Sequence, residues 1–379
     1  MKRRVFFYVQ HLLGIGHLRR AATLARALAS GGFDVLLVSG GAPVPGLATG
    51  GARFHQLPPL RARDAGLREL SQLDGTPLDD AFRAMRTQWL LDVFRSEQPD
   101  ILITEQFPFG RTQLRFELLP LLGAAREMSR PPRIFASVRD VLRESASEAR
   151  IVQTLATFDS FFDAVLVHAD PALVGLDRSF SGWAHLKDRA HYTGYVVEND
   201  RLPVAANDEG RDEVIVSAGG GAVGGPLLQA ALAARPLTSL ADRTWRLLVG
   251  DNLPAADKAA LSAGPGVVIE PARGDFTALL ARSTLSISQA GYNTVVETLM
   301  YGDRAVLVPF ATTRETEQTR RAQVLAERGL VQLVGADGLD GPTLAAAVER
   351  ALAGRSIKSF PRCDANGGAA TAALLARLA

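Results

Sequence analysis

The sequence predicts an α/β protein with two doubly wound parallel sheets in tandem, on three observations. The chain has 379 residues, more than the roughly 100–200 that one core usually organises. Short, continuously apolar runs alternate with longer stretches of helical periodicity, the pattern of strands covered by helices on both faces. The alternation also occurs twice, each time opening with a strand, a glycine-rich loop and a helix. Between the two series, residues 201–211 carry Pro203, Asn207, Asp208, Glu209 and Gly210 and read as a linker. The expected organisation is a domain over 1–200, the linker 201–211, a second domain over 212–360 and a terminal helical segment over 361–379.

In the first half, Val5–Val9 reads as a buried strand. Leu18–Ser30 follows as a helix whose Leu18, Ala21, Ala22, Ala25 and Leu28 share one face and which ends at Gly31-Gly32. Strands are expected at Val35–Val38, Ile101–Thr104, Ile134–Val138, Ala164–His168 and Tyr192–Val197, and helices at Pro77–Glu97, Gln113–Met128 and Ser147–Phe158. In the second half, strands are expected at Val214–Ser217, Arg246–Val249, Val267–Ile269, Leu285–Ser288, Ala305–Val308 and Leu330–Leu333, with helices between them and a last one at Asn366–Ala379.

Composition narrows the function classes. Hydrophobic residues make up 47% and charged residues 22%, enough apolar material to exclude wholesale disorder. Residues 1–200 hold 24 basic and 22 acidic side chains, and 201–379 hold 18 of each. Neither half has the basic field of a nucleic-acid binder, so none is expected as a partner. The single cysteine, Cys363, excludes an internal disulfide and a cysteine-rich metal site. No apolar run reaches the roughly 18 residues of a membrane span, and the N-terminus lacks a signal-peptide core. A cytoplasmic protein is expected.

Ligands of such sheets bind beyond the carboxyl ends of the strands, so the loops there are the candidates. Gly14-Ile15-Gly16-His17-Leu18-Arg19-Arg20 allows close backbone approach to a ligand, yet Arg19 stands where a dinucleotide fingerprint needs its third glycine. His17 is either a near-neutral base or a helix-capping histidine that orders the loop. Ser217 and Gly219, Gly220 and Gly221 form a nest suited to phosphate. Gly219, Gly221 and Gly224 match the dinucleotide pattern, with Asp251 as its acid, though in so glycine-dense a stretch the nest is the safer reading. Ser288–Glu297 holds a turn at Gly291 and a helix start near Asn293 or Thr294. There Thr294-x-x-Glu297 reads either as a capping box or as a ligand-facing helix start. Val308-Pro309-Phe310 and Glu317-Gln318 read locally as a strand end and a solvated helix start.

Together, Ser288-x-Ala-Gly-x-Asn-Thr-x-x-Glu297, Val308-Pro-Phe310, Glu317-Gln318, Ala322 and Gly329 resemble the C-terminal donor domain of GT-B glycosyltransferases, over about residues 212–335. Well-known members add N-acetylglucosamine from its UDP form to the lipid-linked cell-wall precursor. Over 1–200 the resemblance rests on the Gly14–Arg20 loop and the strand order. It implies two Rossmann-like domains facing a central cleft. Glu297 then falls on the acid that binds the ribose hydroxyls. Gly291, Tyr292, Asn293 and Thr294 fall on the pyrophosphate turn. Glu317 and Gln318 fall on the pair that contacts the donor sugar, Ser217 and Gly219–Gly221 on the first-loop nest, and Ala272 and Arg273 where backbone reads the uracil edge. Gly14 and Gly16 belong to the acceptor-side loop. That loop, Leu-Gly-Ile-Gly-His-Leu-Arg-Arg, is similar to the UDP-sugar hydrolase of pseudaminic acid synthesis, whose histidine activates water.

The resulting expectation is an inverting, metal-independent transferase moving a sugar from a UDP-sugar to a sugar, lipid-linked or small-molecule acceptor, with a UDP-sugar hydrolase as the alternative. No cofactor is expected, and no Asp-x-Asp occurs that would hold a divalent cation on the pyrophosphate. His17 is the expected base, Glu105 the fallback base or an acceptor ligand, and Asp140 a weaker one. The segment Glu105–Arg115 mixes phenylalanines with arginines. It reads either as a peripheral membrane contact at the inner face of the cytoplasmic membrane or as a buried Phe pair under a solvated Arg face.

Overall fold

The computed structural model describes residues 2–12, 14–63, 69–142, 147–197, 208–219, 223–311 and 316–378. The chain forms two compact units, Met1–Glu198 with Asp364–Ala379, and Asn199–Cys363.

The first unit is built on a seven-stranded sheet. From one edge, its strands are Arg53–Gln56, Asp34–Ser39, Arg4–Val9, Ile101–Glu105, Arg133–Val138, Ala164–Val167 and Ala190–Tyr192. All neighbours pair in parallel. The central strand Arg4–Val9 is apolar throughout after Arg4, so alternate side chains feed opposite faces. Val5, Phe7 and Val9 pack with Leu18, Ala21, Ala25 and Leu28 of the helix Gly16–Ser30, and Ala372 and Leu375 of the terminal helix Gly367–Leu378 complete that core. Phe6 faces the other way and meets Phe94 of the helix Asp80–Glu97 edge-to-face, ring centroids 5.2 Å apart.

The second unit has a six-stranded parallel sheet in the order Val267–Pro271, Trp245–Val249, Val214–Ser217, Leu285–Ser288, Ala305–Leu307, Gln332–Leu333. Val214, Val216, Leu247, Leu285 and Ile287 build its core with Leu227 and Leu228 of Gly225–Ala234 and Leu344 and Val348 of Gly341–Ala353. Counted in chain order along each sheet, the first runs 3-2-1-4-5-6-7 and the second 3-2-1-4-5-6. The chain therefore changes direction of winding between the first and fourth strands, and the crevice at that point is where such sheets hold ligands.

The sequence reading does not foresee the short antiparallel pair Arg61–Ala62 with Leu70–Ser71, and three further elements differ from it. The edge strand Arg53–Gln56 has no apolar run to announce it, because an edge strand with exposed Arg53 and Phe54 buries little. The last strand of the first unit is Ala190–Tyr192, not Tyr192–Val197. Gly194, at φ +84°, turns the chain out of the sheet, and Tyr195 instead pairs with Asp364 and Gly367 of the C-terminal segment. The strand expected at Leu330–Leu333 shortens to Gln332–Leu333, because Leu330 N–H bonds back to Leu325 O and finishes the preceding helix.

Candidate functional site

In the first unit the switch between strands one and four is occupied by ionisable side chains. The helix Gly16–Ser30 begins directly after the glycine loop, with Ile15 as its N-cap and no capping side chain. His17 therefore lies in the first helical turn and does not cap it. Its Nδ1 is 2.9 Å from Glu105 Oε1. Glu105 ends the strand Ile101–Glu105 and is fully buried, while His17 keeps 14% side-chain exposure.

Glu105 is held from three sides. Arg20, one turn along the helix and itself buried, pairs with Oε1. Ser137 Oγ, from the neighbouring strand, donates to Oε2 at 2.8 Å. Burial alone would raise the carboxyl's pKa, but Arg20, the His17 hydrogen bond and Arg139 together hold it well below the usual carboxylate range. An ionised carboxylate only accepts, so His17 Nδ1 carries the proton and Nε2 presents its lone pair. Burial, then Arg139 and Arg111, push the His17 pKa well below its ordinary value in spite of Glu105. His17 is thus a neutral imidazole of fixed tautomer. Glu105, with both oxygens engaged, is a poor fallback base and a good orienter. Asp140 is buried, and its Oδ1 accepts the Val141 N–H at 2.9 Å.

Gly14 is exposed, and a Cβ there would meet nothing; one at Gly16 would come 3.1 Å from the Arg139 guanidinium. Phe107 is buried against Phe162, and Phe109 packs on Phe158 and Phe180. Arg111 Nε donates to Gln10 O at 2.9 Å. Phe107 is thus fully buried and Phe109 half-buried, which fits the reading of that segment as a buried Phe pair. Among the described residues no helix is long and apolar enough to cross a membrane.

In the second unit the equivalent position is built from small residues and backbone. Ser217 ends the first strand, and its Oγ accepts the Gly219 N–H at 3.3 Å; Gly219 sits at φ +69°. Gly220 and Gly221, and with them part of the dinucleotide-like pattern, lie outside the described residues. Ser288 ends the fourth strand with a buried Oγ that has no hydrogen-bond partner. Gly291 is the N-cap of the helix Tyr292–Tyr301, and no side chain caps that helix. The capping box expected at Thr294 and Glu297 is therefore not formed, because Thr294 is already the third helical residue. Asn293 and Glu297 are half-buried and lie four residues apart, on one helix face. Arg321, buried, donates to Ala290 O at 2.8 Å and lies over the Tyr292 ring, which stiffens the turn.

Glu317 opens the helix Glu317–Glu327, and Gln318 Oε1 accepts the Phe310 N–H at 3.1 Å, tying the Val308–Phe310 loop to it. The Ala272 N–H bonds to Val249 O at 2.9 Å, so that amide is already engaged within the sheet. The Arg273 side chain is taken up by Asp275, Glu209 and Glu270. Asp251 is exposed. Among the described residues no group of three or more His, Cys, Asp or Glu is placed to hold a metal ion.

Sequence reasoning passed over Arg20, Ser137, Arg139 and His168 as functional residues. A signal was available: Glu105, Ser137 and His168 are polar residues at the carboxyl ends of otherwise apolar strands, where a parallel sheet meets its ligand.

Residues 216–373 match the glycosyltransferase family 28 C-terminal domain. The chain is 38% identical over 86 residues to a UDP-N-acetylglucosamine–N-acetylmuramyl-(pentapeptide) pyrophosphoryl-undecaprenol N-acetylglucosamine transferase of Exiguobacterium sp., covering 23% of this chain and 24% of that protein. It is 30% identical over 181 residues to the enzyme of that name from Aromatoleum aromaticum, covering 44% and 49%. The chain thus spans a quarter to a half of the length of these curated relatives. Among solved structures, MurG of Acinetobacter baumannii superposes with a TM-score of 0.65 at 16% identity, over 99% of this chain and 100% of that one. The kitacinnamycin glycosyltransferase gives 0.67 at 15% identity, over 100% and 99%. The chain has the two-domain GT-B fold, and residues 216–373 match the C-terminal domain of glycosyltransferase family 28.

Proposed function

We propose that this protein is an inverting, metal-independent glycosyltransferase that moves a sugar from a UDP-sugar to an acceptor hydroxyl. The observation that carries the reading is the His17–Glu105 pair: a neutral histidine with a fixed tautomer and an open Nε2, in a chain whose other unit matches a family 28 donor domain. UDP binds the second unit, with its pyrophosphate at the uncapped helix start Tyr292–Thr294 and at the Ser217–Gly219 nest. Glu297 takes the ribose hydroxyls, and Glu317 and Gln318 the donor sugar. The acceptor binds the first unit.

His17 Nε2 takes the proton of the acceptor hydroxyl as its oxygen attacks the anomeric carbon, and the sugar–phosphate bond breaks with UDP leaving. General-base help of this kind contributes ~10²–10⁴-fold. Glu105 stabilises the imidazolium that forms. The departing phosphate charge is met by amides and the helix dipole rather than by a cation. N-acetylglucosamine, named in the curated relatives, is the first donor sugar to try, with a lipid-linked or other cell-envelope acceptor.

A calorimetric screen of nucleotide sugars tests the class. UDP-sugars are expected to bind, with GDP-sugars and NAD inert, and turnover is expected to survive EDTA. Preference for NAD, or loss of turnover in EDTA, would contradict the reading. UDP release at full speed with no acceptor would instead assign the water-using reaction.

A further inference from the structure

We propose that His168 is a positioning residue for His17, acting through Ser137 and Glu105 along a line of hydrogen bonds that crosses the sheet strand by strand. The proposal deepens the transferase reading and rests on His17 being its base. From His17 Nδ1 the line passes to Glu105 Oε1 at 2.9 Å. From Glu105 Oε2 it runs to Ser137 Oγ at 2.8 Å, from Ser137 Oγ to His168 Nε2 at 3.1 Å, and from His168 Nδ1 to Thr193 Oγ1 at 2.8 Å. Its members sit at or just past the carboxyl ends of Ile101–Glu105, Arg133–Val138, Ala164–Val167 and Ala190–Tyr192, four strands that are consecutive neighbours in the sheet. Glu105, Ser137 and His168 have at most 1% exposure and Thr193 only 3%, so water does not compete for these bonds.

The chemistry of each group fixes the direction of every bond. The Glu105 carboxylate, paired with Arg20, can only accept, so Ser137 donates its one proton to Oε2. Ser137 Oγ must then accept from His168, which places the His168 proton on Nε2. His168 Nδ1 is left as an acceptor, and Thr193 O–H donates to it. Every donor points toward Glu105, and the bonds polarise one another in the same sense. Burial, then Arg20, keeps His168 neutral, as this arrangement requires. A buried network serving packing alone would need no common direction and no exposed end. This one ends on the partly exposed His17.

The charged groups around His17 are Glu105, Arg111 and Arg139, with Arg20 behind Glu105. Cutting the line at Ser137 removes the donor to Oε2, and cutting it at His168 removes the bond that polarises that donor. Glu105 should then hold the His17 proton more strongly, and the imidazole should titrate at higher pH.

Nitrogen-15 NMR of the histidine rings in the full chain tests this without relying on activity. Wild type is expected to show His168 protonated at Nε2 and His17 at Nδ1. In His168→Phe and in Ser137→Ala the His17 titration is expected to move upward, and kcat to fall about tenfold, the low end for the outer partners of a functional histidine. KM for the UDP-sugar should stay unchanged. His168→Gln, whose side-chain amide can donate to Ser137 as Nε2–H does, should restore both the titration and most of the turnover. An unmoved His17 titration in both folded variants, or a His168 proton on Nδ1, would overturn the proposal. If neither variant folds, the wild-type tautomer decides. His17→Ala, assayed alongside, separates the two claims: full turnover there removes the base reading, while the titrations still decide whether His168 acts on His17.

Discussion

At the switch between its first and fourth strands the N-terminal unit presents ionisable side chains, whereas the C-terminal unit presents small residues and backbone. The strand order is the same over the first six strands, and so is the opening of strand, glycine loop and helix. The two units differ in the residues at their strand ends. In the first unit these are Glu105, Ser137 and His168, which are buried and bond to one another and to Arg20, His17 and Thr193. In the second they are Ser217 and Ser288, too small to fill the crevice, and no side chain caps the start of Tyr292–Tyr301. The first arrangement suits proton transfer and the second suits an anion. One topology serves both because the sheet dictates where the strand ends meet and leaves their chemistry to sequence.

The largest expected effect falls on that division. His17→Ala should lower kcat by ~10²–10⁴-fold and leave UDP affinity, measured by calorimetry, as in wild type. Glu297→Ala should do the reverse, weakening UDP-sugar binding by ~10–100-fold as hydrogen bonds to a charged group are lost, with the His17 titration unmoved. A shared loss in both variants would dissolve the contrast between the units.

The pH dependence comes next. Burial lowers the folded-state pKa of His11, His17 and His168, so the unfolded chain binds protons first as pH falls. Their contribution to stability is complete above about pH 6.5, the unfolded histidine value, and declines as pH drops below it. Thermal melts across pH 4–8 should show this loss in the first unit, where all three reside. By the same shift, kcat/KM should hold steady through pH 6.5 and fall only at lower pH, where His17 itself protonates. A fall already centred at 6.5 would mean that His17 is solvated and unpaired.

The smallest expected effect is Gly219→Ala. At φ +69° the added Cβ meets no neighbour but strains the backbone, at a cost of about 1 kcal/mol. Differential scanning calorimetry should show it in the C-terminal unit alone.

The apolar strands were legible because a strand buried on both faces must be apolar along its length. Val5–Val9, Val214–Ser217 and Leu285–Ser288 needed only that. Arg53–Gln56 was not legible, since an edge strand is exempt from the requirement. The donor-side motif was readable as a local pattern, because its chemistry lies within a single loop and the helix after it. The acceptor-side site was readable only in part. His17 announced itself in a glycine loop, but its partners lie 88, 120 and 151 residues away along the chain. Only the strand order brings Glu105, Ser137 and His168 into line. Tyr195 shows the same limit, since its backbone partners after the turn at Gly194 lie some 170 residues downstream.

The most direct test of the account titrates UDP into wild type, His17→Ala and Glu297→Ala by calorimetry, and follows transfer from a UDP-sugar in the same three proteins. UDP affinity is expected to be equal in wild type and His17→Ala and weakened in Glu297→Ala, with turnover lost in His17→Ala despite bound UDP. A wild-type protein that does not bind UDP, or a His17→Ala variant that turns over at the wild-type rate, would contradict it.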